Sequence, residues 1–207
     1  MKLFYLLPSN INSLFEDYLL DSSMEGIFLK KSMMRNFLTL ILLCTSTTLF
    51  AQEWLPFADL KAGISLKYPP DWENRTDESG RIFLTSPREG EKDAFRENLN
   101  IGYKSDEAYT SMLILEPAFK ALPGQLQKSF IDFKVEKEGY RKMNGLDIYE
   151  IIYTGKMKDQ ETQNLRFIQW FCVHDSKLYT ITYAADAMNK TFINMAQNIM
   201  RGITFKQ

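Results

Sequence analysis

Histidine and cysteine are nearly missing from this chain. Across 207 residues there is one histidine, His174, and there are two cysteines, Cys44 and Cys172. So few nitrogen and sulfur ligands cannot build a zinc site, which takes four of them, or three plus water. A histidine-rich catalytic apparatus is excluded on the same count. Glycine-rich phosphate loops and the G-x-S-x-G elbow are absent. A dominant charge is absent too: 25 basic residues stand against 26 acidic ones. That balance leaves no electrostatic footprint for nucleic acid or an anionic membrane surface. No internal repeat or low-complexity segment is visible.

What is present begins with a misplaced-looking segment, "MMRNFLTLILLCTSTTLFAQEWLPF", Met33 to Phe57. Lys30, Lys31 and Arg35 form a basic flank, and Phe37 to Phe50 is an uncharged run rich in Leu, Ile and Phe. A basic flank, a short apolar stretch and a small residue at the cut define a secretory signal peptide. Fourteen residues fall short of the roughly 20 that span a bilayer. Cleavage is expected after Ala51, leaving no stable membrane span. Leu43 stands before Cys44 where a lipoprotein signal needs a small residue, which argues against lipidation. The position of the signal is explained if translation starts at Met33 or Met34; the competing reading is a cytoplasmic tail ahead of an uncleaved anchor. The chain thus divides into an upstream extension or tail (1–32), a signal peptide (33–51) and an exported domain (52–207), periplasmic or secreted.

The exported part has 156 residues, enough to bury roughly 68–70% of its unfolded surface without a metal or disulfide. The segment up to Ala51 carries four of the basic and four of the acidic residues, leaving 21 against 22. Cys172 is then the only thiol, so no internal disulfide framework exists.

Period-two alternation predicts strands at Gly63–Pro69, Arg81–Ser86 and Asn98–Lys104, with the charged loop Glu89–Arg96 before the last. Residues 106–130 are apolar at helical spacing, through Ala108, Met112, Leu115 and Phe119, and Ser105 or Asp106 is a candidate cap. Pro117 and Pro123-Gly124 should split this segment into two short pieces. Asn144-Gly145 predicts a hairpin between Phe133–Lys142 and Leu146–Thr154, because both residues tolerate positive φ. Leu165–His174 and Lys177–Ala185 form a second pair, followed by a helix over Asn189–Arg201 capped by Gly202 and a last strand at 203–205. Ile168, Trp170 and Cys172 alternate with Phe167, Phe171 and Val173, so this strand is apolar on both sides. Strands of that kind need cover on both sides. The fold class expected is α+β: an α/β/α sandwich with a largely antiparallel sheet and helices on both faces.

Those elements also resemble a family. "GISLKYPPDWE", "ENLNIGY", "MNGLDIYEIIYTG", "DSKLYTITYAAD" and "MNKTFINMAQNIMRGITF" follow, in order, the pattern of the PsbP-like domain, from about Trp54 to the end. The family is named for an extrinsic photosystem subunit and includes many exported bacterial proteins; a nuclear-transport factor that binds a small GTPase shares the fold. The resemblance implies a sheet sandwiched by helices and an accessory role without catalysis. It carries over no metal or partner residue.

Candidate chemistry is sparse. Cys172 and His174, two apart on one strand, share a face but stand about 6.5–7 Å apart along it. A thiol nucleophile needs its base within hydrogen-bond reach, so a buried structural Cys and a histidine at the strand end fit better. "DESG", Asp77–Gly80, is the nearest approach to a calcium loop and reads as a solvated turn. Two sequons, Asn74-Arg75-Thr76 and Asn189-Lys190-Thr191, receive no role. Neither a cofactor nor a metal is called for. Trp54, Phe57, Tyr68 and Trp72 gather near the domain start, with Tyr103 and Tyr109 further on. They are the candidate ligand or partner surface, although Tyr68 and Trp72 suit corner packing better, and Tyr103 and Tyr109 suit either role. The leading reading is a non-catalytic accessory domain engaging another envelope protein. The alternative is a small-ligand carrier with an aromatic-lined cleft between sheet and helix; a thiol enzyme built on Cys172 comes third.

Overall fold

Strands that are apolar on both faces end up in the middle of a seven-stranded sheet. In the computed structural model, residues 53–91, 93, 95–158 and 160–206 are described, side chains of 160–162 excepted. The expected upstream extension (1–32) and signal peptide (33–51) lie outside them. The elements are β1 (Leu55–Asp59), β2 (Ile64–Tyr68), β3 (Glu73–Thr76), β4 (Ile82–Thr85), β5 (Asn98–Ser105), a 3-10 turn (Met112–Leu115), α1 (Glu116–Gln127), β6 (Phe130–Met143), β7 (Leu146–Met157), β8 (Gln160–His174), β9 (Lys177–Asp186), α2 (Ile193–Arg201) and β10 (Thr204–Phe205). The large sheet runs β3-β4-β5-β9-β8-β7-β6, antiparallel throughout. Its two central turns use left-handed backbone: Asn144 (φ 50°) with Gly145 (φ 82°), and Asp175 (φ 49°) with Ser176 (φ 52°). That conformation matches the strand twist and explains how two-residue loops set the register.

Each face carries its own apolar cluster and its own helix. On the front, Ile82, Leu99, Ile101, Ile168, Trp170 and Ile181 meet Ala196, Ile199 and Met200 of α2. On the back, Tyr149, Ile151, Tyr153 and Phe167 meet Phe119 of α1 and Met112 of the 3-10 turn. Phe119 stacks on Tyr149 at 4.7 Å, and Tyr153 stacks on Phe167 at 4.9 Å. Helices thus cover both faces of an antiparallel sheet, the α+β sandwich expected from the strand pattern.

Three details depart from the sequence reading. The two pieces of the 106–130 segment meet at Leu115–Glu116, not at Pro123, which lies inside α1. Pro117 sits in the first turn, where its missing N–H costs nothing. Past Pro123, Leu122 and Leu126 pack on the back cluster and hold the helix together. Helix α2 starts at Ile193; Asn189 accepts the Thr191 N–H through its side chain instead, closing a turn. Two strands also went unseen. β3 is exposed along its length, and β1 contains Pro56, so neither carries a strand signal in its sequence.

β1 supplies a second, three-stranded sheet, ordered β1-β2-β10. This small sheet joins α2 on the front face through several anchors. Tyr179 donates from its hydroxyl to the Ala62 carbonyl at 2.7 Å. Phe205 packs edge-on against Tyr179 at 4.8 Å, and the Lys206 N–H donates to Gly63 at 2.8 Å.

Candidate functional site

The small sheet shapes a hollow on the front of the domain. β10 pairs only with Ile64 and Ser65 of β2, because the chain leaves α2 at Gly202 and joins the sheet late. The rest of β2 has β1 on one side and the end of α2 on the other. An open groove of about 650 Å³ results, lined by Trp54, Phe57, Leu66, Lys67, Asn198 and Gly202, with Pro56, Ala58, Ser65 and Thr204 along its sides. Its walls are mostly apolar. Among the described residues Lys67 is its one charged side chain, and it is exposed.

Of the six aromatic candidates, the structure brings Trp54 and Phe57 together in this groove. Tyr68, at the end of β2, packs half-buried against the front cluster. Trp72 is 3% exposed and meets Phe192 edge-on at 5.9 Å, inside the core. Tyr103 leans on Tyr179 at 6.0 Å, with the Lys177 ammonium 5.9 Å from its ring. Tyr109 lies in the loop after β5, in a turn closed onto Asp106. The remaining groove residues escaped sequence reasoning because β1, α2 and β10 come from opposite ends of the domain. The one usable signal was the short strand at 203–205, which had to pair somewhere.

Cys172 and His174 are placed as structural groups. The Cys172 thiol is fully buried, and burial pushes its pKa up to about 12. His174 lies against Phe205 at 5.6 Å, and its Nε2 donates to the Lys206 carbonyl at 2.9 Å. At neutral pH the thiol is uncharged, so it is no nucleophile. Asp77 accepts three hydrogen bonds through one oxygen, from the Ser79 hydroxyl and the N–H groups of Ser79 and Arg81. The hydroxyl contact leads in holding its pKa below the usual carboxylate value, and a turn is closed.

Two buried carboxylates have opposite surroundings. Burial works against the charge of Glu150, but Lys137 at 2.7 Å, the Trp170 indole N–H at 2.7 Å and Arg141 at 3.1 Å outweigh it, and its pKa falls. The Arg141 guanidinium also lies over the Trp170 ring, 4.2 Å from its centre. Glu97 has neutral donors: Ser86 at 3.0 Å and the Asn189 amide at 2.7 Å, the latter shared with Glu89. Burial, aided by Glu89 and Asp93, raises its pKa. Among the described residues no group of His, Cys, Asp and Glu side chains is arranged to hold a metal ion.

Solved structures share this fold. A cyanobacterial PsbP (CyanoP) from Synechocystis sp. PCC 6803 matches with a TM-score of 0.52, at 12% identity, over 76% of this chain and 95% of its own. The chain has the PsbP-like fold. PA94 from Pseudomonas aeruginosa, a protein of unknown function described as a putative regulator, matches with a TM-score of 0.52 and 13% identity, over 75% of this chain and 99% of its own. A Bacteroides thetaiotaomicron VPI-5482 protein matches equally well, with a TM-score of 0.52 and 13% identity. This chain spans only about half (49%) of that one while 75% of this chain is covered. No family model matches the chain, and no curated protein does. At these identities the PsbP-like likeness is one of fold, and function must be argued from the site.

Proposed function

We propose that this is an exported, non-catalytic accessory domain that binds an extended segment of another envelope protein in the β1–β2–α2 groove. The groove itself carries the proposal: among the described residues its walls are mostly apolar, with one cation, Lys67, and no acidic lining residue. An apolar segment bearing one carboxylate complements it, the apolar contacts giving affinity and Lys67 giving register. Export rests on the basic flank and uncharged run before Ala51, and no described helix is long and apolar enough to cross a membrane. The carrier reading is less favoured, since Pro56, Ala58, Lys67 and Thr204 are all exposed and a small ligand there would stay half wet.

Photo-cross-linking from position 58 in living cells tests the docking. One discrete adduct is expected, lost in Phe57→Ala and Lys67→Glu chains and kept in Lys134→Glu. An adduct indifferent to the groove substitutions removes the groove from the interaction.

A further inference from the structure

The third strand beside the groove is short. β10 has two residues, pairs Thr204 with Ser65 and Phe205 with Ile64, and has no strand on its other edge among the described residues. Ile203 is buried and Phe205 packs on Tyr179, which keeps the chain down on the domain. Apolar burial is non-directional, so it does not by itself set how the backbone of residues 201–206 is turned.

Directional contacts come from the large sheet. Because β6, β7, β8 and β9 are consecutive antiparallel neighbours, the β6–β7 and β8–β9 turns lie at the same end of it. Each of these tips reaches one end of β10. The Asn144 amide nitrogen is 3.0 Å from the Arg201 carbonyl and 3.4 Å from that of Ile203, and its two N–H groups donate one to each. His174, the last residue of β8, donates from Nε2 to the Lys206 carbonyl at 2.9 Å and lays its ring against Phe205. Among the described residues these three carbonyls accept from no other group. Asn144 thus grips the chain on both sides of Gly202, and His174 grips it two residues past Thr204. Gly202 and Thr204 are the residues through which this segment lines the groove.

We propose that Asn144 and His174 are positioning residues for the groove: two hairpin tips of the large sheet fix the α2–β10 wall against β2. Hydrogen bonds are directional, so they supply the orientation that burial of Ile203 and Phe205 does not. Neither residue lines the groove. A loss of binding on substituting them therefore acts through the wall and not through a contact with the segment. The inference rests on the docking reading above only for this consequence in binding.

Two substitutions isolate the side-chain bonds. Asn144→Gly keeps the left-handed turn and removes the amide. His174→Phe keeps a ring against Phe205 and removes the donor, whereas His174→Gln restores a donor of similar reach. Amide hydrogen exchange of the full chain is read over residues 201–206, alongside the position-58 cross-link. The Asn144→Gly/His174→Phe chain should exchange there about tenfold faster than the parent, and its adduct should weaken severalfold. Asn144→Gly/His174→Gln should recover part of both, and Lys142→Ala, in the same hairpin, should change neither. Unchanged exchange in β7 and β8 shows that the large sheet is intact; if the double variant does not fold, Asn144→Gly alone is read, with the same direction expected. Exchange over 201–206 equal to the parent's overturns the proposal, and so does faster exchange with an undiminished adduct. A parent chain that gives no adduct ends the docking reading instead, and the exchange result still decides whether the tips hold the wall.

Discussion

At the scale of the residue, burial decides chemistry that composition leaves open. Cys172 is completely enclosed by the front cluster. An aromatic thiol reagent should therefore leave it untouched in the native protein and label it fully in denaturant. Rapid native labelling would show that the front face opens. Glu97 and Glu150 respond to pH in opposite senses. The Glu97 pKa is raised in the fold, so its favourable contribution is complete below its unfolded value, near 4.5, and disappears as pH rises through the folded one. The Glu150 pKa is depressed, so its contribution is present above 4.5 and disappears as pH falls through the folded value. Urea unfolding should then find Glu97→Gln more stable than the parent at pH 7, with the gain gone near pH 3. Glu150→Gln should lose about 1–3 kcal/mol at pH 7, through its charged hydrogen bonds, and less in acid. Parallel curves for the two substitutions would show that their surroundings do not differ in this way.

At the scale of the element, tertiary packing overrides local preference in α1. An interior proline removes one backbone hydrogen bond and disfavours a helix by about 3 kcal/mol relative to alanine. Phe119, Leu122 and Leu126 nevertheless keep the segment helical by packing on the back cluster. Pro123→Ala should raise the unfolding free energy by about 1–3 kcal/mol, read from chemical denaturation; a loss would mean that the ring itself fills space. The hairpins behave as their turn residues dictate. Asn144-Gly145 was legible because the turn type needs positive φ at both positions. Asp175-Ser176 adopts the same backbone with a less favoured pair, and the register of β8 on β9 selects it. β1 and β3 were not legible: one starts beside a proline, the other is wet throughout, and strand identity there comes from the neighbour.

At the scale of the whole molecule, residues 203–206 hold the front of the domain. Ile203 is fully buried, Phe205 packs on Tyr179, and Lys206 bonds to both Gly63 and His174. The β10–β2 pairing and the Lys206–Gly63 bond join sequence positions about 140 apart, so the small sheet and its groove need β10 in place. Ile203→Ala should cost about 2–5 kcal/mol, which lowers the midpoint by roughly 4–20 °C at 2–4 °C per kcal/mol. A change under 1 °C would mean that β10 is dispensable. Removing 203–207 should abolish the position-58 cross-link even where the large sheet survives.

Residue order alone was enough for the sandwich. Alternation on two faces needs no partner to be recognised, because a strand greasy front and back can be satisfied in water only between two layers. The places where ligands or proteins would sit were decided by assembly. Trp54 and Phe57 become groove walls, and Trp72 a core anchor, according to where β10 meets β2. The Asn residues of β5 stay outside the back cluster because α1 packs over β6 and its 3-10 lead-in over β7. A side chain's role follows from what covers it, and cover comes from segments far away in the chain.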